Sequence, residues 1–283
     1  MYSARFEADN GRTFVFGKNG GNVFDMDLGS GVSVDIGTSQ GFSQIGESVE
    51  TLAVNGRPIS VKGVLFQDVD SQKKKMRNVF APFVAGKLIF EDGHYTRVFV
   101  QDPPSFSPIK NDGRFTMRLF APFPYFYGQS EESVQIGGVV PAFSFPVNYK
   151  DVHKFGQILQ NRFTEIHNNG DVKAPYGVEI IVNGESSNPV VTDLLSFEFL
   201  KINGKFTAGD TLRIYRDENN VLIATLTNSA NEKFDIISMI DEDSSFYELN
   251  VGKTLVSVSD DEGGSGMRAR IFFNEVVVAL YES

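Results

Sequence analysis

Apolar and polar residues alternate along much of the chain, which is the two-residue period of strands that bury one face. In the clearest case Val178, Ile180 and Val182 share one face, and Asn183-Gly184 follows as a pair typical of a left-handed turn. Further strands are predicted at 12–16, 32–36, 59–66, 114–119, 212–215, 221–226, 267–273 and 276–281, the last two joined by a turn at Asn274-Glu275. Short strands joined by tight turns predict an all-β protein.

One segment changes to the period of a helix. The apolar positions of its buried face are Met76, Val79, Phe80 and Phe83, at i, i+3, i+4 and i+7. Asp70 or Ser71 can cap the first turn. Because Pro82 keeps the residue before it extended, the helix is predicted to end near Phe80, with Phe83 packing just beyond it.

A β-hairpin is predicted directly after the helix. Apolar runs at 87–90 and 95–100 flank Asp92-Gly93, a tight-turn pair. If one edge of the aromatic-rich segment 86–102 is free, its unpaired N–H and C=O groups can pair with another copy of the chain. We hypothesise that this hairpin is a contact between copies, and that shortening it at 91–95 leaves a folded monomer.

Length and hydrophobic content favour two domains. A chain of 283 residues with 41% hydrophobic residues can bury two ordinary cores. The polar segment 129–135 is typical of a linker. We therefore expect domains at 1–130 and 131–283, with a strand at 139–145 and a mixed loop and strand at 147–166.

Composition narrows the class further. The 26 Phe and 27 Gly suit strands and turns, and the absence of cysteine excludes disulfides and thiolate metal sites. The amino terminus has charges where a signal peptide needs an apolar run, and no window is apolar enough for a membrane helix. A soluble protein without membrane partners is expected.

Charge is unevenly distributed between the two predicted domains. Residues 1–130 contain 14 basic and 13 acidic residues (net +1), whereas residues 131–283 contain 12 and 23 (net −11). An acidic surface repels nucleic acid, so the second domain is not expected to bind DNA.

Motifs for catalysis are lacking. His94, His153 and His167 are scattered, without an H-E-x-x-H pair, and no G-x-S-x-G is present. Neighbouring carboxylates such as Asp241-Glu242-Asp243 alternate faces instead of converging on one bond, so a solvated loop is favoured there. We expect no enzyme activity and assign no catalytic residue.

Cofactor and metal motifs are incomplete as well. The segments at 18–22 and 264–266 lack the G-K-S/T ending of a phosphate loop and are interpreted as turns. The acidic runs at 25–27 and 260–262 lack the ligand spacing of a calcium loop, so hydrated turns are favoured over calcium sites. No cofactor-binding or metal-binding residue is assigned.

A basic stripe on the predicted helix is the best candidate in the chain for a nucleic-acid-binding site. It consists of Lys73, Lys74, Lys75 and Arg77. Four cations on one face can contribute a salt-dependent contact to phosphates. A solvated face, or a salt-bridge edge between subunits, is the favoured interpretation, because isolated charge runs are commonly surface.

A series of motifs in the carboxyl half resembles one family. The matching positions are Gly170, Asp171, Ala174, Pro175, Gly184, Gly209, Asp210, Leu212, Ile214, Phe246, Leu249 and Gly252. In that order they resemble the carboxyl half of the siphophage distal tail proteins. Tyr215 and Lys253 depart from the aspartate and asparagine usual after the matched isoleucine and last glycine. The helix, the hairpin and the A-P-x-P-Y-F-Y type run at 121–127 resemble that family's amino half.

The resemblance implies a fold and an assembly. It implies an N-terminal β-sandwich with one helix and an extended hairpin, and a C-terminal galectin-like β-sandwich. It also implies a homo-hexameric ring in the virion tail, with the hairpin as a belt along the neighbour. The ring would join the tail tube protein to tail-tip or baseplate proteins, allow receptor-binding proteins to attach, and let genomic DNA pass without specific binding.

A second hypothesis comes from another class of protein. The carboxyl domain could be a carbohydrate-binding adhesin, with sugar rings stacked on Tyr215, Phe246 or Tyr247. The absence of tryptophan disfavours it. Oligomeric mass and sugar binding would discriminate the two.

Overall fold

The computed structural model describes residues 3–28, 32–109, 111–137, 139–140, 157–158, 163–261 and 266–280. The chain divides into two compact units, the first comprising 1–129 with 276–283 and the second 130–275. Within the described ranges almost all regular structure is β-strand, with one α-helix. The fold class predicted from the sequence is confirmed.

The first unit contains nine complete strands among its described residues and the α-helix. The elements are β1 (Ala4–Ala8), β2 (Thr13–Phe16), β3 (Asn22–Asp27), β4 (Val34–Ser39), β5 (Ser48–Val54), β6 (Arg57–Leu65), α1 (Val69–Val79), β7 (Ala85–Phe90), β8 (Tyr95–Phe106) and β9 (Arg114–Ala121). Strand pairing follows the order β2-β1-β7-β8-β9-β6-β3, whereas β4 and β5 form a separate two-stranded sheet. The main sheet encloses one core.

Phenylalanine rings dominate this core. Phe6, Phe14, Phe16 and Phe80 are fully buried. Phe6 stacks on Phe80 with ring centroids 4.7 Å apart, and Phe14 and Phe16 each lie 5.7 Å from Phe80. These contacts dock the end of α1 against β1 and β2. Met76 and Val79 complete the buried helix face that the sequence predicted.

The start of α1 and the residue beyond its end differ from prediction. The residue preceding the helix is Asp68, in a left-handed conformation, and no side chain caps the first turn. Phe83 does not pack beyond the helix, because it lies in the turn after Pro82 with φ 66° and is 98% exposed. A bulky residue is strained in that conformation. The helix does end at the predicted place.

The carboxyl end of the chain lies with the first unit. Buried Arg57 donates from Nη2 to the carbonyl of Val278 at 2.8 Å, and its guanidinium carbon lies 4.7 Å above the Phe126 ring. Val277 and Leu280 pack against the same core. The sequence predicted that residues 276–283 belong to the second domain, whereas they form part of the first compact unit. The reason is that residues of this segment contact β6 and the core of the first unit.

The second unit contains two sheets. Its elements are β11 (Val139–Val140), β12 (Gln157–Ile158), β13 (Phe163–Asn168), β14 (Ala174–Val182), β15 (Ser186–Ser187), β16 (Val190–Asp193), β17 (Phe199–Lys201), β18 (Lys205–Phe206), β19 (Thr211–Arg216), β20 (Leu222–Thr227), β21 (Lys233–Asp235), β22 (Glu248–Leu249), β23 (Gly252–Ser259) and β24 (Met267–Val277). One sheet has the order β24-β14-β19-β20-β21, and the other β13-β23-β16-β17. Buried and half-buried residues alternate along much of β14 and β23, one strand from each sheet, as in a β-sandwich.

Three local predictions in this half are wrong. The polar segment 129–135 belongs to strand β10 (Phe126–Ile136) and is not a linker. No turn separates 267–273 from 276–277, because β24 continues through Asn274 and Glu275 and buries Val276. Neither Asn183 nor Gly184 has a positive φ, and both N–H groups donate to the carbonyl of Gly266. Residues 141–145 of the strand predicted at 139–145 lie outside the described residues, and so does the segment 147–162 apart from 157–158.

A Glu132→Gln variant is expected to be more stable than the wild type at pH 7 and equal to it near pH 4. Burial, and then the proximity of Glu275, raise the pKa of Glu132. A carboxyl whose folded-state pKa is raised contributes stability that is lost as pH rises through that pKa. Glutamine has no charge to bury or to repel Glu275, so the variant should gain about 0.5 kcal/mol in free energy of unfolding at pH 7, the size typical of two facing like charges.

Chemical unfolding at the two pH values measures this difference. Glu131→Gln is the matched control, because Glu131 is exposed on the adjacent position of the same strand. An equal gain in both variants would show that general acidity, and not the Glu132–Glu275 pair, sets the pH dependence.

Candidate assembly surfaces

The β4–β5 hairpin is the most exposed element of the first unit. Its strands pair only with each other in the described part of the chain, so their outer edges have no strand partner. Every residue of β5 is exposed, and β4 has a single half-buried residue, Gly37. From Val34 to the turn the hairpin is roughly 25 Å long, at about 3.3 Å per residue.

One face of this hairpin is apolar. The register places Val34 opposite Val54 and Ile36 opposite Leu52, and Val49 continues the row beyond a bulge. At the tip, Phe42 and Ile45 are fully exposed. A contiguous apolar face with open edges marks a site of protein–protein contact. The sequence signal was available as apolar alternation at 34–36 and 49–54 around a Gly-containing turn, but only the first of these two segments was predicted as a strand.

The hairpin at 86–102 cannot serve as the predicted belt by edge pairing. Strand β7 pairs with β1 on one side, from Ala4 opposite Phe90 to Ala8 opposite Gly86, and with β8 on the other. Strand β8 pairs in turn with β9. The free edge expected from the sequence is therefore occupied by the amino-terminal strand, and this prediction is wrong.

Basic residues of α1 lie over aromatic rings. Lys73 Nζ is 5.7 Å and Arg77 Cζ 5.1 Å from the centroid of Phe106, and Lys75 Nζ is 5.9 Å from that of Phe14. Cation–π contacts fix the charges close to the protein surface. Two of the four predicted stripe residues therefore converge on the end of β8.

A groove of about 620 Å³ lies beside Phe106. It lies along the paired strands β3, β6, β9 and β8, and its lining includes Val23, Val64, Phe106 and Phe115. Val23 and Val64 are opposite each other in the strand register and both are exposed. Arg114 at its margin forms an ion pair of 2.8 Å with Asp112. The strand register places Val23, Val64 and Arg114 on one face of the sheet and Phe115 and Phe106 on the other.

The motif residues of the second unit are mainly structural. Gly209 has φ 95°, which glycine adopts without strain, and the buried Asp210 side chain accepts from Thr207 N–H at 2.8 Å. Ala174 and Leu249 are buried partners in the β14–β22 pairing. These residues fix turns and strand pairing.

The three aromatic residues proposed for sugar stacking are not equally accessible. Phe246 is fully buried, 4.8 Å from the ring of Tyr176, whose hydroxyl donates to the Phe246 carbonyl at 2.8 Å. Burial raises the pKa of Tyr176 well above its usual value. Tyr215 and Tyr247 are half-buried beside arginines 213 and 216. Phe246 therefore cannot stack on a sugar in this fold.

The histidines form local contacts. His94 Nδ1 lies 2.9 Å from Asp92 Oδ2 in the hairpin turn, and His167 Nε2 lies 3.2 Å from Glu165 Oε1. A hydrogen bond from Lys253 lowers the pKa of Glu165. His153 lies outside the described residues. The turn and surface positions expected for His94 and His167 are observed.

The acidic runs are separate from one another. Asp241 accepts from Asn203 Nδ2 at 3.0 Å, which lowers the pKa of its carboxyl, and from the N–H of Asp243 at 3.1 Å. Asp25 and Asp27 lie on the exposed side of β3. Among the described positions, no group of three His, Cys, Asp or Glu side chains could hold a metal ion. In the same residues, no helix has the length and apolar character to span a bilayer.

Part of the second unit matches a known protein family. The family model described as siphovirus-type tail component, C-terminal domain, matches residues 169–275. No curated protein matches the sequence.

The fold of the whole chain is similar to a solved phage protein. It is similar to the crystal structure of SPP1 Dit (gp 19.1), with a TM-score of 0.63 and 12% sequence identity over 98% of this chain and 99% of that chain. That protein is described as a paradigm of the hub adsorption apparatus in phages that infect Gram-positive bacteria. Two structures of the phage p2 baseplate in its activated conformation, with Sr and with Ca, give TM-scores of 0.48 and 0.46 at 15% and 12% identity, each covering 97% of both chains. The resemblance to the siphophage distal tail proteins is confirmed: residues 169–275 match the siphovirus-type tail component C-terminal domain model, and the fold of the whole chain is similar to that of SPP1 Dit.

Proposed function

We propose that this protein is the hub of a phage tail tip or baseplate, in which six copies close into a ring that joins the tail tube to the tip proteins and lets DNA pass. The observation that carries the proposal is the match of residues 169–275 to a tail component family. The similarity of the whole fold to a protein described as a hub of an adsorption apparatus supports it.

The β4–β5 hairpin supplies the means of assembly. It takes the place of the segment 86–102 as the belt between copies, because its edges and its apolar face are both open. A contact between different surfaces of identical subunits closes a ring when the rotation between them allows. Once closed, each weak contact is reinforced by the high effective concentration of its neighbour.

The second unit is the proposed attachment point for other virion proteins, including receptor-binding proteins. The acidic excess of residues 131–283 disfavours both DNA binding and self-association of this unit. The ring would be located in the virion tail, and its work would consist of shape and contact without bond-breaking chemistry.

The wild-type protein is expected to show six times the mass of one 31.3 kDa chain in native mass spectrometry, with rings visible by negative-stain electron microscopy. A variant in which residues 35–53 are replaced by a two-residue turn is expected to be a folded monomer. The replacement is compatible with the fold because Asn55 N–H donates to the carbonyl of Ser33 at 2.9 Å, so the ends of the hairpin lie together.

A variant with the loop 91–95 shortened is the control, since β7 and β8 are paired within the chain and this variant should still form rings. Solitary wild-type particles at concentrations typical of virion assembly would contradict the proposal. Saturable binding to a glycan array by such a monomer would favour the adhesin.

A further inference from the structure

We propose that Asn55 is a site of spontaneous covalent modification, at which the side-chain amide is lost and aspartate or isoaspartate forms. Water is the only co-reactant. Asn55 and Gly56 are the two residues that connect β5 to β6, outside both strands. The site therefore lies at the base of the β4–β5 hairpin, and its chemistry is independent of the proposed ring.

The reaction takes place between two adjacent residues. The backbone nitrogen of Gly56 gives up its proton and attacks Cγ of Asn55, which closes a five-membered succinimide ring. The carboxamide C–N bond breaks, and the amide group takes up a proton and leaves as ammonia. Water then opens the ring at one of its two carbonyl carbons, which gives aspartate or isoaspartate. Glycine favours the attack because it has no side chain to obstruct it.

The sequence contains six Asn-Gly pairs, and in five of them the glycine nitrogen is already engaged. The N–H groups of Gly11, Gly20 and Gly184 donate to backbone carbonyls at 2.9, 2.9 and 3.0 Å. Those of Gly170 and Gly204 donate to asparagine side-chain oxygens at 3.0 and 2.9 Å. In these five pairs the attacking atom is held by an acceptor other than the neighbouring asparagine.

The sixth pair differs at both reacting groups. Among the described residues, the N–H of Gly56 donates to no acceptor and the side chain of Asn55 makes no hydrogen bond. By contrast, the side-chain amides of Asn169 and Asn203 each donate to a carboxylate at 3.0 Å. Asn55 and Gly56 are both half-buried, so water reaches them. The nitrogen and the carboxamide of this pair are therefore both available for reaction.

The hydrogen bonds of the other five glycines should slow their reaction. A bonded nitrogen must lose its acceptor before it attacks, and the net strength of a typical hydrogen bond corresponds to about fivefold to tenfold in rate. Such loss occurs through local opening of the fold. Asn55 requires no such opening, so in the folded protein it should react about tenfold faster than any of the other five asparagines.

The product changes the connection between the hairpin and the main sheet. Isoaspartate adds one methylene to the main chain and places a carboxylate beside it. The second residue onward is the buried Arg57, whose guanidinium donates to the carbonyls of Leu28 and Val278 at 3.4 and 2.8 Å. The longer main chain thus lies directly before a residue that is held in place on β6.

The test compares all six sites within one protein. The full chain is incubated at mildly alkaline pH and 37 °C for several weeks, and peptide mass spectrometry measures replacement of –NH₂ by –OH at each asparagine. A parallel incubation in guanidinium chloride is the reference, because all six sites are Asn-Gly and should react at similar rates without the fold. Labelling by an isoaspartyl methyltransferase identifies isoaspartate in the peptide that contains residue 55.

Asn55→Gln is the matched control variant. Glutamine would have to close a six-membered ring, which forms far more slowly, so the early product should disappear while the rates at the other five sites stay unchanged. Two results would overturn the proposal: a rate at Asn55 no higher than at the other five sites in the folded protein, or an equally large lead of Asn55 in guanidinium chloride, which would remove the fold as its cause.

Discussion

Replacing Phe80 by alanine is expected to destabilise the first unit by about 4 kcal/mol, within the range for removing a fully buried phenylalanine ring. Phe80 is the common neighbour of Phe6, Phe14 and Phe16, at centroid distances of 4.7, 5.7 and 5.7 Å. Alanine leaves a cavity among three rings that are held by the paired strands β1 and β2, so the rings cannot all move inward to fill it.

Hydrogen exchange followed by mass spectrometry measures the loss in the strands of this core. Phe83→Ala is the matched control: the same residue type lies three positions away but is 98% exposed, so a change within about 0.5 kcal/mol is expected. Comparable destabilisation by both variants would mean that Phe83 is packed, as the sequence pattern suggested, and would contradict the observed turn.

The contrast between these two phenylalanines shows what local sequence can specify. The helical spacing correctly identified Met76, Val79 and Phe80 as the buried face, because i, i+3 and i+4 positions lie together on any helix. Extending the same spacing to Phe83 failed because Pro82 ends the helix, and beyond that point the periodicity no longer fixes direction. The periodic pattern therefore predicted which residues of the helix are buried, but it did not predict where along the chain the burial stops.

The assembly surface was harder to predict because it depends on long-range pairing. Both 34–54 and 86–102 are apolar hairpins by sequence, and which of them has open edges is decided by β1, some 80 residues before β7. Pairing of β1 encloses the second hairpin within the main sheet and leaves the first outside it. Similarly, β24 pairs with β14 from Met267 to Phe273 and continues through Asn274-Glu275 to Val277, a course that local turn preferences do not include.

Replacing Phe246 by alanine is expected to destabilise the second unit by a similar amount, about 4 kcal/mol. Its ring is fully buried 4.8 Å from that of Tyr176 on β14. The N–H groups of Ser245 and Phe246 both donate to the carbonyl of Phe199 on β17, at 2.9 and 3.0 Å. The residue therefore connects the two sheets of the sandwich, and its loss should increase exchange in β14 and β17 together.

Phe197→Ala is the control for this variant, because Phe197 lies in the same unit but is 79% exposed, and its truncation should change stability by no more than about 0.5 kcal/mol. Exchange in β1 and β7 should remain unchanged by Phe246→Ala, since that residue belongs to the other compact unit. Increased exchange throughout the chain would instead show that the two units unfold as one. Sugar binding abolished by Phe246→Ala with stability retained would contradict its place in the core, because a buried ring that connects two sheets cannot be removed without cost.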